Sequence, residues 1–245
     1  DNGAYTANTF KVEDANGNDV TDNYTLGTQT AGKLRIKDRT DKYEIEVVAN
    51  SSTGNIYDGT AKSATGFETL SFERDGNTYT VEGLTTSDHS STNVCSLTNA
   101  ISGTAVVKDA DGNDVTAQFN VSTTNGTLEI TAREVTVSVT DKTVEYNGSE
   151  QSGNTTYTFD NVVSGQTATI TYTPSSGKLV GTYDNGSYGT DFAVVDGDGN
   201  DVTANYTLGT QTAGKLTITD RTEKYEITVV DNSSTGNVYD GTAKS

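Results

Sequence analysis

The chain has 245 residues, of which only 31% are apolar, and its formal net charge at pH 7 is −18. This charge makes nucleic acid or an anionic membrane surface an unfavourable partner, because neither supplies counter-charge. A single cysteine, Cys95, excludes an intrachain disulfide, and no apolar run approaches the roughly 18 residues that a membrane span needs.

β-Branched and aromatic residues alternate with polar residues along the chain, and Gly and Asn turns separate these stretches. Such alternation predicts strands with one buried and one wet side. In chain order, the predicted strands are 43–48, 78–81, 104–107, 127–131, 135–140, 155–159, 168–172, 192–195, 215–219 and 225–230. The only predicted helical piece is one turn at 114–119, which Asp114 can cap.

These elements predict an all-β fold. About seven short strands fit into each stretch of about 90 residues, and this favours tandem Ig-like β-sandwich domains. A β-grasp arrangement is the alternative, although it requires a helix that the pattern does not show.

Long internal repeats organise the sequence. Segment 19–63 recurs at 201–245 with 7 differences in 45 positions, and a weaker copy begins near residue 109. The repeat unit is therefore about 90 residues long, and two types, A and B, alternate. We expect the sequence to be a window on a longer array. The predicted domains are 1–38 (the C-terminal part of a B-type repeat), 39–132 (an A-type repeat), 133–220 (a B-type repeat) and 221–245 (the N-terminal part of an A-type repeat).

The junctions between repeats contain almost no linker. The last predicted strand of the A repeat, 127–131, is followed within a few residues by the first strand of the B repeat. A short, strand-continuous junction limits bending, unlike a Gly/Ser linker. We therefore predict that the repeats form a semi-rigid, elongated rod.

Three short motifs recur at fixed spacing. Tyr-Asp-Gly or Tyr-Asn-Gly lies near the start of a repeat, Asp-Gly-Asn-Asp-Val-Thr-x-Asn-Tyr near its end, and Gly-x-Leu-x-Ile-Thr closes it. Together they resemble the MBG-type and YDG-type repeats of bacterial surface proteins. The resemblance implies an extracellular, non-enzymatic role in the stalk of a long adhesin or cell-wall protein. The middle copy departs from the pattern, with Gln118-Phe119 in place of Asn-Tyr.

Two acidic turns, 109–114 and 196–201, are the candidate metal sites. An EF-hand needs Glu at its twelfth position, and Asn120 and Thr207 stand there instead. A looser calcium site and an ordinary hairpin turn both remain open, and no other cofactor is expected. The candidate calcium ligands are Asp109, Asp111, Asp114, Asp196, Asp198 and Asp201.

Other reactive or aromatic residues have structural interpretations as well as functional ones. Lys62 with Asn23, and Lys244 with Asn205, are conceivable partners in an isopeptide cross-link, although the middle repeat lacks both residue types. The tyrosines of the Tyr-Asp/Asn-Gly motifs are packed rings beside tight turns or, alternatively, glycan-stacking platforms. We expect His89 and Cys95 to be structural, since neither has a matching catalytic or metal-ligating set.

No convergent acid, base and nucleophile appear, so we expect a non-enzymatic protein. The leading hypothesis is a stalk or spacer, formed by repeats of a bacterial surface adhesin or extracellular fibre that project or assemble a binding region. Its expected partners are neighbouring repeats, other copies in a fibre, and a host or cell-surface ligand. The alternative is a glycan- or protein-binding module that uses segment 64–102, where the A repeat differs most from the B repeat.

Overall fold

The computed structural model describes residues 10–231, 233 and 235–243. Within these residues, the only helical segments are three short 3₁₀ turns, at Thr21–Asn23, Thr116–Gln118 and Thr203–Asn205. The predicted all-β class is confirmed. The β-grasp alternative has no α-helix to build on in the described part of the chain. No described helix is long and apolar enough to cross a membrane.

Ten strands form the A repeat: β1 (Tyr43–Val48), β2 (Ser52–Ile56), β3 (Lys62–Ala64), β4 (Ser71–Arg74), β5 (Asn77–Thr86), β6 (His89–Ser91), β7 (Cys95–Asn99), β8 (Ile101–Lys108), β9 (Phe119–Thr124) and β10 (Gly126–Thr131). The B repeat has shorter strands: β11 (Arg133–Val139), β12 (Lys142–Glu145), β13 (Gln151–Ser152), β14 (Tyr157–Asp160), β15 (Thr167–Thr169), β16 (Tyr172–Thr173), β17 (Ser176–Gly177), β18 (Gly181–Tyr183), β19 (Ser187–Tyr188), β20 (Ala193–Val195), β21 (Tyr206–Thr212) and β22 (Leu216–Thr219).

The chain divides into two compact units that do not coincide with the sequence repeats. The first unit comprises Asp1–Ala49, Gly66–Ser87 and Ala100–Asn125. The second comprises Asn50–Thr65, Asp88–Asn99 and Gly126–Ser245. The second unit therefore contains part of the A repeat together with the whole B repeat, and the A-to-B boundary lies inside it.

The first unit packs a small core between two sheets. Strands β1 and β9 pair in parallel, with Tyr43 opposite Phe119, and β4, β5 and β8 form an antiparallel sheet. The β4–β5 hairpin turns at Asp75 and Gly76, both at positive φ, as tight hairpin turns require. The alternation along β1 turns its apolar side chains inward. The buried core residues are Ile45, Val47, Val81, Val107 and Phe119.

The second unit contains three parallel strand pairs, each joining one of the first two strands of a repeat to one of its last two: β2 with β10, β11 with β21, and β12 with β22. Antiparallel partners extend these pairs into three-stranded sheets, β2–β10–β7, β14–β11–β21 and β12–β22–β18. The pairs β3–β6, β13–β17, β15–β20 and β16–β19 complete the unit.

Most predicted strands exist, with two corrections. Segment 168–172 is interrupted between β15 and β16, so it is not one strand. Segment 225–230 forms no strand, although it nearly repeats the sequence of β1. A strand requires a neighbour for its backbone hydrogen bonds, and β1 has β9, whereas no strand pairs with 225–230 among the described residues.

Candidate functional site

The boundary between the A and B repeats lies inside the second unit. Strand β10 ends at Thr131 and β11 begins at Arg133, so one residue separates the last strand of the A repeat from the first strand of the B repeat. A single buried cluster contains side chains from both sides of this boundary. Its A-repeat members are Tyr57, Ala64, Leu128 and Ile130, and its B-repeat members are Val135, Val194 and Tyr206. We call this cluster, with the polar contacts below, the junction core.

Tyr57, from the Tyr-Asp-Gly motif of the A repeat, is the centre of the junction core. Its side chain is 3% exposed, and its ring meets that of Tyr206 edge-on at a centroid distance of 5.3 Å. Gln166 joins both hydroxyls: its amide nitrogen donates to Tyr57 at 2.8 Å, and its carbonyl oxygen accepts from Tyr206 at 2.6 Å. The two buried phenols are therefore satisfied by one amide that lies in the following repeat.

Burial also changes the acidity of the Tyr206 phenol. Removal from water is the largest influence and raises its pKa above the usual range, because the phenolate loses its hydration. The backbone N–H of Val163 donates to the Tyr206 hydroxyl at 3.1 Å and opposes this rise. The phenol thus stays neutral and can keep donating to Gln166 at physiological pH.

Arg133 connects the backbones on the two sides of the boundary. One guanidinium nitrogen donates to the Tyr57 carbonyl at 3.2 Å, and two others donate to the backbone and side-chain oxygens of Asn161 at 2.8 Å and 2.7 Å. The planar fork of Arg fits this three-point contact, which a Lys ammonium would not reproduce. The first residue of the B repeat is thereby tied to the Tyr-Asp-Gly turn of the A repeat.

Asn205 forms a second polar clamp across the boundary. It lies at the end of the 3₁₀ turn Thr203–Asn205, and its side chain is buried. Its carbonyl oxygen accepts from the Val94 backbone N–H at 2.8 Å, and its amide donates to the Asn93 side chain at 3.0 Å. The Asn of the Asn-Tyr-Thr motif therefore reaches the β6–β7 turn of the preceding repeat.

The acidic turns are built as self-contained turns. The Asp109 carboxylate accepts from the backbone N–H groups of Asp111 and Asn113, and Asp196 does the same with Asp198 and Asn200. Just after these turns, the Asp114 and Asp201 carboxylates accept from the backbone N–H groups of Thr116 and Thr203, the first residues of two 3₁₀ turns. Within the described residues, no three His, Cys, Asp or Glu side chains are grouped as metal ligands. The calcium prediction for these turns stays a prediction.

These hydrogen bonds lower the pKa of the turn carboxylates. For Asp109 and Asp196, the side-chain amides of Asn113 and Asn200 have the largest effect. For Asp114 and Asp201, Thr116 and Thr203 stabilise the ionised form through their backbone N–H and hydroxyl groups. At Asp114 the positive charge of Lys108 lowers the pKa further.

Two of the four residues considered for an isopeptide, Lys62 and Asn205, have other partners. The Lys62 ammonium pairs with Asp58 at 2.7 Å and with the Thr60 hydroxyl at 2.8 Å, beside the Tyr-Asp-Gly turn. Asn205 belongs to the clamp described above. The Asn23 side chain is exposed, and Lys244 lies outside the described residues.

The segment proposed for ligand binding, 64–102, is divided between the two units and contributes to both interiors. Val81 lies in the core of the first unit, and Cys95 and Leu97 pack against the junction core. The His89 ring nitrogen Nε2 lies 3.1 Å from the Thr98 carbonyl. The structural role expected for His89 and Cys95 stays a prediction.

The other tyrosines of the Tyr-Asp/Asn-Gly motif lie in different surroundings. Tyr146, in the B repeat, is half-buried and lines an open depression of about 250 Å³ with Val180, Arg221 and Tyr225. Tyr239 is 93% exposed. The sequence predicted packed rings beside turns or, alternatively, glycan-stacking platforms; Tyr57 is packed, whereas Tyr239 is exposed. The sequence did not predict the contacts of Gln166 and Asn93, and it singled out Asn205 only as an isopeptide candidate. Of these three residues, only Asn205 lies in a repeated motif, Asn-Tyr-Thr, and could have been found from the sequence.

No family model matches the chain, and no curated protein matches it. A weak structural similarity exists to SGBP-B of the mixed-linkage glucan utilization locus of Bacteroides ovatus, solved in complex with a mixed-linkage heptasaccharide. That similarity has a TM-score of 0.16 and 15% identity, and it covers 71% of this chain and 46% of the other. Overlap of this quality carries no argument about fold or function, so the resemblance to MBG- and YDG-type repeats rests on the motifs alone.

Proposed function

We propose that these repeats act as structural spacers in an extracellular, bacterial surface protein or fibre. The observation that carries this proposal is the junction core: Tyr57 of one repeat is buried against Tyr206 and Gln166 of the next. Repeats that share a core resist bending at their boundary, whereas repeats on a flexible linker do not. The acidic surface and the use of a single cysteine fit an exported, self-repelling protein.

Rigidity at the boundary is directly measurable. In the whole chain, residual dipolar couplings of amides in β10, β11 and β22 should fit one alignment tensor. The Tyr57→Ala variant should need two tensors, one on each side of residue 132. Two independent tensors in the unaltered protein would rule out a spacer of this kind.

As a second candidate function, we propose a ligand-binding role that uses part of segment 64–102. A depression of about 240 Å³ in the first unit is lined by Asn77, Thr78, Tyr79, Asp109, Ala110 and Asp111. An aromatic ring beside amide and carboxylate groups is the combination that orients sugar hydroxyls in many small-ligand sites. The Tyr79 ring also packs edge-on against Phe119, which would hold it in place.

A glycan array separates the two candidates. The whole chain and its Asn77→Ala variant are tested on the same array. If the whole chain binds a glycan and the variant does not, although both have the same melting temperature, the depression is the ligand site. If the whole chain binds no glycan, a glycan-binding role of the depression is excluded, and the spacer role is unaffected.

A further inference from the structure

The first two strands of each repeat pair in parallel with its last two strands. In the A repeat, β1 pairs with β9 over six residue pairs, and β2 pairs with β10. In the B repeat, β11 pairs with β21 and β12 pairs with β22. Parallel neighbours cannot be joined by a tight hairpin, so the rest of the repeat lies between the paired strands in the sequence. The chain therefore enters and leaves each repeat through strands that are bonded to each other.

Tension along the chain acts on these parallel pairs in shear. Incoming tension pulls β11 and β12 from their N-terminal ends, and outgoing tension pulls β22 from its C-terminal end at Thr219. In a parallel pair these ends lie at opposite ends of the ladder, so the strands must slide past each other and the hydrogen bonds are loaded together. If the two N-terminal ends were pulled apart instead, the same bonds would break one after another.

Further hydrogen bonds close the β12–β22 pair at both of its ends. Just before β12, the Asp141 carboxylate accepts from the Lys215 backbone N–H at 2.8 Å. At the other end, the Thr219 hydroxyl donates to the Val144 carbonyl at 3.3 Å. The Thr219 carbonyl accepts from the Tyr146 backbone N–H at 2.9 Å. Sliding of β22 along β12 would break these bonds together with the ladder.

The A repeat has matching contacts between β2 and β10. The Ser51 hydroxyl oxygen accepts from the Thr127 backbone N–H at 3.1 Å. The Thr131 hydroxyl donates to the Asn55 carbonyl at 3.0 Å, and the Thr131 carbonyl accepts from the Tyr57 backbone N–H at 2.9 Å. In both repeats, the threonine ends the Gly-x-Leu-x-Ile-Thr motif and the tyrosine begins the Tyr-Asp/Asn-Gly motif. The two motifs are therefore the two sides of one bonded strand pair.

Apolar side chains shield both pairs from water. Leu128 and Ile130 of β10 are buried, and so are Leu216 and Ile218 of β22. A hydrogen bond in such surroundings is electrostatically stronger than in water, and breaking it leaves buried polar groups unpaired. Separating the strands by shear therefore requires several strong bonds to open together.

We propose that each repeat bears tensile load, with its parallel strand pairs as a mechanical clamp. The inference rests on the proposed spacer function, because a spacer between an anchored surface and a held ligand is pulled along its chain. One residue, Ala132, separates β10 from β11. Tension thus passes from the β2–β10 pair to the strands of the B repeat without a linker that could extend first.

Single-molecule pulling of the whole chain in two directions tests the proposal. DNA handles are attached to pairs of introduced cysteines, with Cys95→Ala to remove the native thiol. Ala132→Cys with Asp220→Cys pulls β11 and β22 from opposite ends, in shear. Ala132→Cys with Ala204→Cys pulls the N-terminal ends of β11 and β21 apart. We expect the unfolding force in shear to be at least about twofold higher, since forced unfolding reports the rate of crossing the barrier in the pulled direction. Equal forces, or a lower force in shear, would overturn the proposal.

Two matched aspartates identify the bonds that bear the load. Asp141→Ala removes the acceptor of the Lys215 N–H inside the clamp. Asp191→Ala removes the acceptor of the Thr171 N–H, which lies at 3.0 Å outside the clamp. We expect Asp141→Ala to lower the unfolding force in shear and Asp191→Ala to leave it unchanged. An equal loss of force in both variants would contradict the assignment of the clamp.

The load-bearing role and the spacer role can fail separately. Equal forces in the two directions, with one alignment tensor for β10, β11 and β22, would remove the clamp and leave the rigid spacer. A higher force in shear, with separate tensors on the two sides of residue 132, would support the clamp and contradict the rigid spacer.

Discussion

The Tyr-Asp-Gly turn occurs in two nearly identical segments, and its environment differs completely between them. At the A-to-B boundary, Tyr57 is 3% exposed and bonded to Gln166, whereas Tyr239, in the second copy, is 93% exposed. The local sequence is the same, so it does not determine the burial. The repeat that follows Tyr57 supplies the contacts, and this shows that the junction core is a property of two adjacent repeats together.

The largest expected effect is that of truncating the two tyrosines. We expect Tyr57→Ala to lower the free energy of unfolding of the second unit by about 3–5 kcal/mol, since a buried ring is lost and Gln166 loses a partner. The matched control, Tyr239→Ala, should change it by no more than about 0.5 kcal/mol, because the ring is exposed. Urea titration followed by tyrosine fluorescence measures both. Equal effects of the two substitutions would contradict the assignment of the junction core.

Truncating the asparagine clamp should have a smaller effect. Asn205→Ala removes hydrogen bonds to Val94 and Asn93 and leaves the Val94 N–H without its acceptor, at an expected loss of about 1–3 kcal/mol. Asn23 occupies the same motif with an exposed side chain, so Asn23→Ala should be close to neutral. Thermal unfolding of both variants distinguishes the contribution of the Asn205 contacts to stability from that of the local Asn-Tyr-Thr sequence. If Asn23→Ala were equally destabilising, the local sequence and not the contacts across the boundary would be responsible.

Acid should weaken the Tyr-Asp-Gly turn and the acidic turns together. The Lys62 ammonium has the largest effect on Asp58 and, with Thr60, holds its pKa far below the usual range. A carboxyl whose pKa is lower in the folded state stabilises the fold above its unfolded pKa, and it loses this contribution as the pH falls through the folded value. We therefore expect the melting temperature to decrease as the pH is lowered below about 4. The melting temperature of Asp58→Asn should decrease less between pH 7 and pH 2.5 than that of the unaltered protein. An equal decrease would show that Asp58 does not contribute to the acid sensitivity.

The smallest expected effect concerns calcium. Turns 109–114 and 196–201 lie in different units but have the same internal hydrogen bonds, so each is complete without a cation. We expect melting curves in millimolar calcium and in excess EDTA to agree within about 1 °C, because a ligand that does not bind the folded state cannot shift its stability. A calcium-dependent rise that Asp196→Asn removes would instead assign a metal site to the second turn.

Alternation and turn chemistry were sufficient to predict most strands and the single helical turn after Asp114, because these depend on residues close together in sequence. The receiving side of the junction could not be predicted in this way. Gln166 lies 109 residues after Tyr57 and belongs to no motif. The failure at 225–230 has the same cause: the segment has the sequence of a strand, but pairing with a strand like β9 decides whether it becomes one.

Hydrogen exchange on the whole chain tests the central claim most directly. If neighbouring repeats share one core, Tyr57→Ala in the A repeat must increase amide exchange in β11 and β21 of the B repeat, where Val135 and Tyr206 lie. The account predicts faster exchange on both sides of residue 132, with Tyr239→Ala as an unchanged control. Faster exchange confined to the A repeat, with β11 and β21 protected as before, would contradict it.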